Sequence, residues 1–179
     1  SLSHRFNNGD YQKAIDELVG AVTKAGIKNI TGDLVGDESF FRGTRFGVGW
    51  SIEDMQYYYG AEASALTFQE NTVDLFFKAG DKPGDPIKIS TKPSTSYLTY
   101  ENRTKTVEKD GRNSVEVYRP FDSNVVYLHG TMPMGASGSD SVAVYDAPLW
   151  FITTLRDELA KRGVTVNGKL KTVNALDRE

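Results

Sequence analysis

Carboxylates are the side chains of this sequence whose crowding most directly suggests chemistry. Five of them lie in one short stretch: Asp33, Asp37, Glu38, Glu53 and Asp54. Paired carboxylates act as general acids and bases or bind divalent cations, but these five do not follow the Asp-x-Asx-x-Asx-Gly spacing of a calcium loop. We predict that they cap turns and hold loops, with Ser51 as an N-cap, Asp54 three residues later and a turn over 52–59. No metal site is predicted.

Aromatic residues occur in the same stretch: Trp50, Tyr57, Tyr58 and Tyr59. Two interpretations of this cluster stay open. The rings form a wall for a sugar or a peptide, or they form the edge of a packed core. The preceding glycines at 43, 47 and 49 lack the Gly-Lys-Ser/Thr of a phosphate-binding loop, so they do not match that motif.

No serine has the surroundings of a catalytic nucleophile. A serine activated by lysine needs that lysine one helical turn away, and no Ser is followed by Lys three positions later. Ser-x-Asn is absent, and the Lys-Thr pairs at 105–106 and 171–172 are followed by Val instead of Gly. We predict structural roles for His4 and His129, the only histidines. No catalytic residue is therefore predicted.

The composition is that of a globular protein with one substantial core or two small ones. Of its 179 residues, 39% are hydrophobic and 25% are charged, with a net charge of −3, so no basic surface predicts nucleic-acid binding. The absence of cysteine excludes disulfides, thiolate zinc sites and cysteine nucleophiles. No apolar run approaches the roughly 18–20 residues of a membrane span. No signal peptide is found, and because Ser1 replaces an initiating Met we expect a mature form or an excised piece.

Two helix–strand units are predicted, one near each end. The first is an amphipathic helix over 8–25, with a stripe of Tyr11, Ile15, Leu18 and Val22, a stop at Gly26 and a strand over 27–35. The second has Asp146 as N-cap and Pro148 in the first turn of a helix that ends at Gly163, followed by a strand over 164–170. The stripe of the second helix is Leu149, Ile152, Leu155 and Leu159.

These two units align on their glycines. Gly26 coincides with Gly163, and after deletion of one residue Gly32-Asp-Leu34 meets Gly168-Lys-Leu170. The alignment predicts two units related by pseudo-symmetry that share one sheet. The alternative, that any helix–Gly–strand unit looks like this, stays open.

The middle of the chain is predicted to be mostly strands. The predicted strands are 63–68, 72–78, 87–90, 97–100, 103–108, 115–118, 125–128 and 141–145. We predict a hairpin at Gln69–Asn71, a turn at 109–112 and loops at 79–85 and 132–138. The fold class is therefore α+β: a mixed α/β subdomain of the two helix–strand units, over 1–85 and 132–179, with a β-rich subdomain over 86–131 inserted between them.

A series of spaced residues resembles a known family nearly from end to end. The segments are Ile30-x-Gly-Asp-Leu-Val35, Asp37-x-Ser-x-Phe41, Gly49-Trp50, Tyr59-Gly-Ala-x-x-Ser-Ala-Leu66, Asn102-Arg-Thr104 and Gly130-Thr-Met-Pro-Met-Gly135. Together they resemble the serine D-alanyl-D-alanine carboxypeptidases of the class C penicillin-binding type, peptidase family S13. Gly36 departs from the pattern, since it stands where that family usually has an apolar residue. The family's Ser-x-x-Lys, Ser-x-Asn and Lys-Thr-Gly motifs are missing.

The resemblance implies a region that is inserted between the family's nucleophile and its Ser-x-Asn motif. Such a region is non-catalytic, needs no cofactor, and has as partners the transpeptidase-like catalytic domain of the same polypeptide and the peptidoglycan stem peptide. By position, the candidates that approach the stem peptide are Trp50, Glu53, Asp54 and Tyr58. An acidic group there pairs with the ammonium of a diamino acid. The resemblance also implies an exported protein, in the periplasm or cell envelope.

Two other functions are compatible with the residues. The first is a stand-alone binding or interaction module of the cell envelope that acts without a catalytic partner. The second is an independent hydrolase that uses the carboxylate cluster and His129. A longer reading frame, with Ser-x-x-Lys upstream and Lys-Thr-Gly downstream, distinguishes the accessory region from the stand-alone module. Mutation of His129 without loss of activity would exclude the hydrolase.

Overall fold

A computed structural model describes residues 2–178 and has the predicted α+β class. It contains two α-helices, α1 (Lys13–Lys24) and α2 (Ala147–Lys161). The strands are β1 (Asn29–Ile30), β2 (Leu34–Asp37), β3 (Thr72–Lys78), β4 (Lys88–Lys92), β5 (Thr99–Val107), β6 (Glu116–Tyr118), β7 (Val125–Pro133), β8 (Ser137–Ala143), β9 (Thr165–Val166) and β10 (Leu170–Val173). Short 3₁₀ turns cover His4–Phe6, Ile52–Gln56, Tyr58–Gly60, Gln69–Asn71 and Leu176–Arg178.

The chain forms two compact units. The first contains residues 1–50, 61–71 and 146–179, and the second contains residues 51–60 and 72–145. Both helices belong to the first unit, and the longer strands belong to the second. The subdomain limits of 1–85, 86–131 and 132–179 remain a prediction.

Helix α1 begins later than its apolar pattern predicts. Asn8 and Gly9 have φ angles of 55° and 81°, which no right-handed helix contains. The carboxylate of Asp10 instead accepts hydrogen bonds from the N–H groups of Gln12 and Lys13, 2.9 and 3.1 Å away, and so satisfies donors at the helix start.

The predicted stripe of α1 is also partly wrong. Ile15 and Val19 are buried, whereas Leu18 is 40% exposed. The buried positions are therefore four residues apart, on a face slightly rotated from the predicted one. The stop is confirmed, because Gly26 has a φ of 77°, the left-handed conformation that glycine supplies at a helix end.

The two helix–strand units pair with each other in parallel. Asn29 lies opposite Thr165 in the β1–β9 pair, and Leu34 lies opposite Leu170 in the β2–β10 pair. The predicted alignment of Leu34 with Leu170 is thus confirmed in space. The units form two separate two-stranded sheets where one shared sheet was predicted.

The break between the two sheets lies at a close backbone contact. A Cβ atom on Gly168 would lie 2.2 Å from the carbonyl oxygen of Gly32, so only glycine fits at this position. The predicted strand over 27–35 is interrupted at the same point, after Ile30.

Helix α2 forms much of the core of the first unit. Trp150 is fully buried, and its ring centroid lies 5.2 Å from that of Phe68. Ile152 packs so closely on β2 that a Cβ atom on Gly36 would lie 2.8 Å from its Cγ2. The side chains of Ile152 and Leu66 therefore occupy the space that a larger residue at position 36 would need.

The second unit contains two three-stranded sheets, with strand orders β4–β3–β8 and β5–β7–β6. Strands β3 and β8 are antiparallel, as are β6 and β7, while β5 and β7 run parallel. The turn at 109–112 is present, and Gly111 N–H donates to the Glu108 carbonyl at 2.9 Å. The strands that this turn connects are nevertheless not neighbours, because β7 lies between them.

Several predicted strand limits are wrong. Residues 63–68 form no strand, and Gln69, Glu70 and Asn71 all have positive φ, so no hairpin forms there. The predicted strands 97–100 and 103–108 are one strand, β5. The predicted loop over 132–138 is mostly strand, because β7 continues to Pro133 and β8 begins at Ser137.

Candidate functional site

The predicted capping turn at Ser51 is present. Oδ2 of Asp54 accepts hydrogen bonds from the Ser51 N–H at 2.9 Å and from the Ser51 hydroxyl at 3.0 Å, and the turn covers Ile52–Gln56. These hydrogen bonds hold the pKa of Asp54 below its ordinary value. The hydroxyl of Tyr59 donates to Oδ1 at 3.4 Å. Asp54 is therefore engaged in holding the turn.

Glu53, beside it, is placed differently. Its side chain is exposed, and it makes no ion pair with any residue in the described range 2–178. A carboxylate in water at the start of a short rigid turn is available to bind a cation. Of the two acidic candidates, Glu53 is the one with free acceptor capacity.

The tyrosines after this turn form an exposed cluster and do not form the edge of a core. Tyr58 is 63% exposed. The ring centroids of Tyr57 and Tyr59 are 5.5 Å apart in a stacked arrangement, and Tyr58 meets Tyr59 edge-on at 5.4 Å. These contacts hold the rings together while their surfaces stay open to a ligand.

Trp50 belongs to the first unit, whereas Glu53, Asp54 and Tyr58 belong to the second. The indole is 39% exposed and covers Gly47, where a Cβ atom would lie 2.7 Å from the ring. The three candidates of the second unit thus lie on one segment, 53–58, and Trp50 is a separate exposed aromatic group.

The first unit contains a network of charges that the sequence pattern does not indicate. The guanidinium of Arg45 contacts three carboxylates, those of Glu38, Glu62 and Asp146, and its Nη1 lies 3.3 Å from both Glu62 and Asp146. Glu38 and Glu62 are both buried, and Glu38 also accepts a hydrogen bond from the Ser64 hydroxyl at 2.7 Å.

The pKa of Arg45 reflects this environment. Burial by itself lowers it, but the hydrogen bond with Glu38 and the three negative charges outweigh burial and raise the pKa above its ordinary value. The guanidinium is therefore a permanent positive charge that compensates the buried carboxylates, and it does not act as an acid. The network is suited to stabilising the fold of the first unit and not to acid–base catalysis.

Glu62 also caps α2 from a distant part of the chain. Its two carboxylate oxygens accept hydrogen bonds from the N–H groups of Asp146 and Ala147, at 2.8 and 3.0 Å. Asp146, the predicted N-cap, has a left-handed backbone and its side chain makes no capping hydrogen bond. The capping function predicted for Asp146 is thus performed by Glu62, because the Asp146 carboxylate faces Arg45.

A cleft of about 810 Å³ lies beside this network in the first unit. Its walls include Phe40, which is 84% exposed, Leu176, which is 79% exposed, and Arg42. The lining contains no histidine and no serine. The cleft offers an apolar surface with a cation, which is suited to binding and not to nucleophilic catalysis.

His4 belongs to the first unit and His129 to the second. His4 stacks on Tyr11, with ring centroids 4.1 Å apart, and shares a 2.7 Å hydrogen bond with Gln69. His129 is exposed on β7, with Nε2 3.6 Å from Glu116. Over the described part of the chain, no group of three or more His, Asp or Glu side chains is arranged to hold a metal ion. No helix within residues 2–178 has the length and apolar character of a membrane span.

Comparison with known proteins identifies relatives over almost the whole chain. A model of the D-Ala-D-Ala carboxypeptidase 3 (S13) family matches residues 5–179. The chain is 27% identical over 161 residues to a D-alanyl-D-alanine carboxypeptidase of Actinomadura sp. (strain R39), and 26% identical over 165 residues to D-alanyl-D-alanine carboxypeptidase DacB of Haemophilus influenzae. These alignments cover 86% of this chain but only 30% and 32% of the relatives.

A solved structure shares the fold. Penicillin binding protein 4 (dacB) from Haemophilus influenzae superimposes with a TM-score of 0.69 at 22% identity, over 89% of this chain and 36% of the other. The chain thus spans about a third of the length of the proteins it matches.

Proposed function

The chain belongs to the D-Ala-D-Ala carboxypeptidase 3 (S13) family, and on that premise we propose that it is a non-catalytic accessory region of a serine-type D-Ala-D-Ala carboxypeptidase or endopeptidase that acts on peptidoglycan. In this proposal the reactive serine belongs to a transpeptidase-like catalytic domain of the same, longer polypeptide. The protein works outside the cytoplasm, in the periplasm or cell envelope, where its substrate is found.

The proposal rests on one combined observation. The family match extends over 5–179, yet these residues correspond to only about a third of the relatives and contain none of the three motifs with which such enzymes acylate and release substrate. A region that has the family's fold but not its reactive groups has no nucleophile. In this proposal it therefore shapes the active-site mouth and binds substrate.

We further propose that the exposed segment 53–58 contacts the stem peptide at the mouth of the active site. Glu53 pairs with the side-chain ammonium of a diamino acid, and Tyr58 covers the alkyl chain of that residue. Asp54 keeps the turn rigid, which lowers the entropy cost of binding. Trp50 is a further aromatic contact, to be tested separately.

The test uses the complete polypeptide and two soluble peptides that end in D-Ala-D-Ala. One has a diamino acid with a free side-chain amine, and in the other this amine is acetylated. Glu53→Gln should lower kcat/KM about tenfold for the free amine only, the amount expected when a charge-assisted hydrogen bond is lost. Tyr58→Ala should lower kcat/KM for both peptides. The control is Glu17→Gln, in an exposed part of α1.

Equal kinetics of Glu53→Gln and the unaltered enzyme on both peptides would remove this segment from the substrate path. A gene that encodes these residues without Ser-x-x-Lys upstream and Lys-Thr-Gly downstream would favour the stand-alone binding module instead.

A further inference from the structure

A second hollow lies on the β5–β7–β6 sheet, within the second unit. Its volume is about 570 Å³, within the usual range of small-molecule sites. The lining residues that have exposed surface are Arg103, Tyr118, Pro120, Tyr127 and His129. The proposed contact with the stem peptide does not use any of them.

The register of the strands arranges the side chains of this face in two rows. One row contains Glu101, Tyr127 and Tyr118, because Tyr127 lies opposite both of the others. The next row contains Arg103, His129 and Glu116, because His129 lies opposite both Arg103 and Glu116. Alternation along each strand places all six side chains on the same side of the sheet.

This face is open and the opposite face is core. Leu128 and Val126, which alternate with Tyr127 and His129 along β7, have no exposed surface. Tyr118 is 50% exposed, and the side chain of Arg103 is 71% exposed. Tyr118 and Tyr127 therefore lie on the solvent-facing side of the sheet, and their rings are not packed into the core.

The rings of Tyr118 and Tyr127 lie side by side and are not stacked face to face. The centroids of Tyr118 and Tyr127 are 6.3 Å apart and their planes are inclined by 34°. The guanidinium of Arg103 lies over the ring of Tyr127, 5.9 Å from its centroid. The result is a shallow aromatic surface with hydrogen-bond donors and acceptors at its margin.

The charges of the face select the class of ligand. The two carboxylates, Glu101 and Glu116, lie 4.0 Å from Arg103 and 3.6 Å from His129, respectively, and the exposed Lys105 lies two residues beyond Arg103 on the same side of β5. A polyanion would meet the carboxylates and a polycation would meet the guanidinium. A neutral ligand with an apolar face and many hydroxyl or amide groups would satisfy both the rings and the polar margin.

A sugar chain has this chemistry. The C–H groups of a pyranose lie against an aromatic ring, while its hydroxyl and N-acetyl groups hydrogen-bond to carboxylates and guanidinium groups. We propose that this face binds the glycan of peptidoglycan, a chain of N-acetylated hexosamines. The proposal rests on the proposed function for the identity of the polymer, and it assigns to the second unit the task of holding the sugar chain while the stem peptide is processed elsewhere.

Binding is measured on the 179-residue chain itself, with a sugar that has no peptide. The probe is an oligosaccharide of N-acetylglucosamine, titrated while the amide signals of β5, β6 and β7 are followed by NMR. Saturable binding with shifts confined to these strands is expected. Tyr118→Ala and Arg103→Gln should each weaken the affinity about tenfold, the effect of losing about 1.4 kcal/mol.

Phe76→Ala is the matched control. Phe76 is an aromatic residue of the same unit, 38% exposed, on the other sheet, and its removal should leave the affinity unchanged. Thermal unfolding of each variant shows that the fold is retained.

Three results would overturn the proposal: absence of saturable sugar binding by the folded chain, equal weakening by Phe76→Ala and Tyr118→Ala, or sugar-induced shifts that lie outside β5, β6 and β7. None of these results depends on the kinetic experiment with Glu53→Gln. The two proposals therefore fail independently.

Discussion

Arg45 and Arg42 show how two residues of one type, three positions apart, differ in their contribution to stability. Arg45 compensates carboxylates whose side chains are only 6% and 3% accessible, whereas Arg42 is exposed and makes no ion pair with the residues that the structure describes. A buried carboxylate that loses its cation is costly, because neither water nor another charge replaces the partner. The residue type is the same, and the two side chains differ only in their surroundings.

We therefore predict that Arg45→Met lowers the free energy of unfolding by about 3 kcal/mol. Arg42→Met should change it by less than about 0.5 kcal/mol, as surface substitutions usually do. Urea unfolding of the 179-residue chain, followed by circular dichroism, measures both. Equal losses for the two variants would mean that the network around Arg45 contributes no more than an exposed arginine does.

Removal of the Tyr100 hydroxyl is predicted to raise the free energy of unfolding, the opposite of the effect of Arg45→Met. This hydroxyl is buried and has no hydrogen-bond partner, and burial raises its pKa to about 12. Tyr100→Phe removes an unsatisfied polar group and should raise the free energy of unfolding by about 1 kcal/mol. The control is Tyr97→Phe, which should lower it, because the Tyr97 hydroxyl donates to the Tyr145 carbonyl at 3.0 Å.

The pH dependence of Tyr100→Phe follows from the same burial. Since the folded state holds the phenol neutral to about pH 12 and an unfolded tyrosine ionises near pH 10, rising pH in this interval favours unfolding of the unaltered chain. The variant should lack this part of the loss. Identical slopes of stability against pH would contradict a buried, neutral Tyr100.

At the scale of elements, the contact of the two helix–strand units depends on a glycine. Gly168→Ala would place a methyl group 2.2 Å from the Gly32 carbonyl oxygen, so the backbone must shift, and we predict a loss of about 2–3 kcal/mol. Gly20→Ala, within α1, meets no atom within 4 Å and should stabilise the chain by about 0.5–1 kcal/mol. Thermal unfolding distinguishes the two; a neutral Gly168→Ala would contradict the close contact.

Elements defined by local signals were predicted well. Gly26 and Gly163 end the two helices, each with a φ of 77°, because a left-handed residue at a helix end is a local requirement. The start of α1, by contrast, was predicted too early. Asn8 and Gly9 have left-handed backbones, and the apolar spacing from which the helix was predicted does not show this. Strand β3 was predicted with its observed limits.

Features defined by distant contacts were not predictable from spacing. Arg45 meets Glu62 and Asp146, which are 17 and 101 positions away, and no local pattern connects them. Glu62 caps α2 across 84 and 85 positions, so the nearer Asp146 was predicted instead. Of the candidate site, the capping by Asp54 was predicted correctly because Ser51 is its near neighbour.

At the scale of the whole molecule, the proposed function separates the fold of this chain from the covalent chemistry of the reaction. The chain has the fold of its relatives and belongs to their family, but it spans about a third of their length. Its exposed groups, Glu53 and the tyrosines at 57–59, are suited to contact a ligand and not to form a bond with it. The proposed function therefore assigns binding and shape to this region, and covalent chemistry to another part of a longer polypeptide.

The most direct measurement of this central claim is acylation by a β-lactam. A fluorescent penicillin is incubated with the 179-residue chain and, in parallel, with the complete polypeptide, and each is denatured and separated by electrophoresis. We predict covalent fluorescence on the complete polypeptide and none on the chain, which has no Ser-x-x-Lys. Fluorescence that stays attached to the 179-residue chain would show that the reactive hydroxyl is among these residues, and would contradict the account.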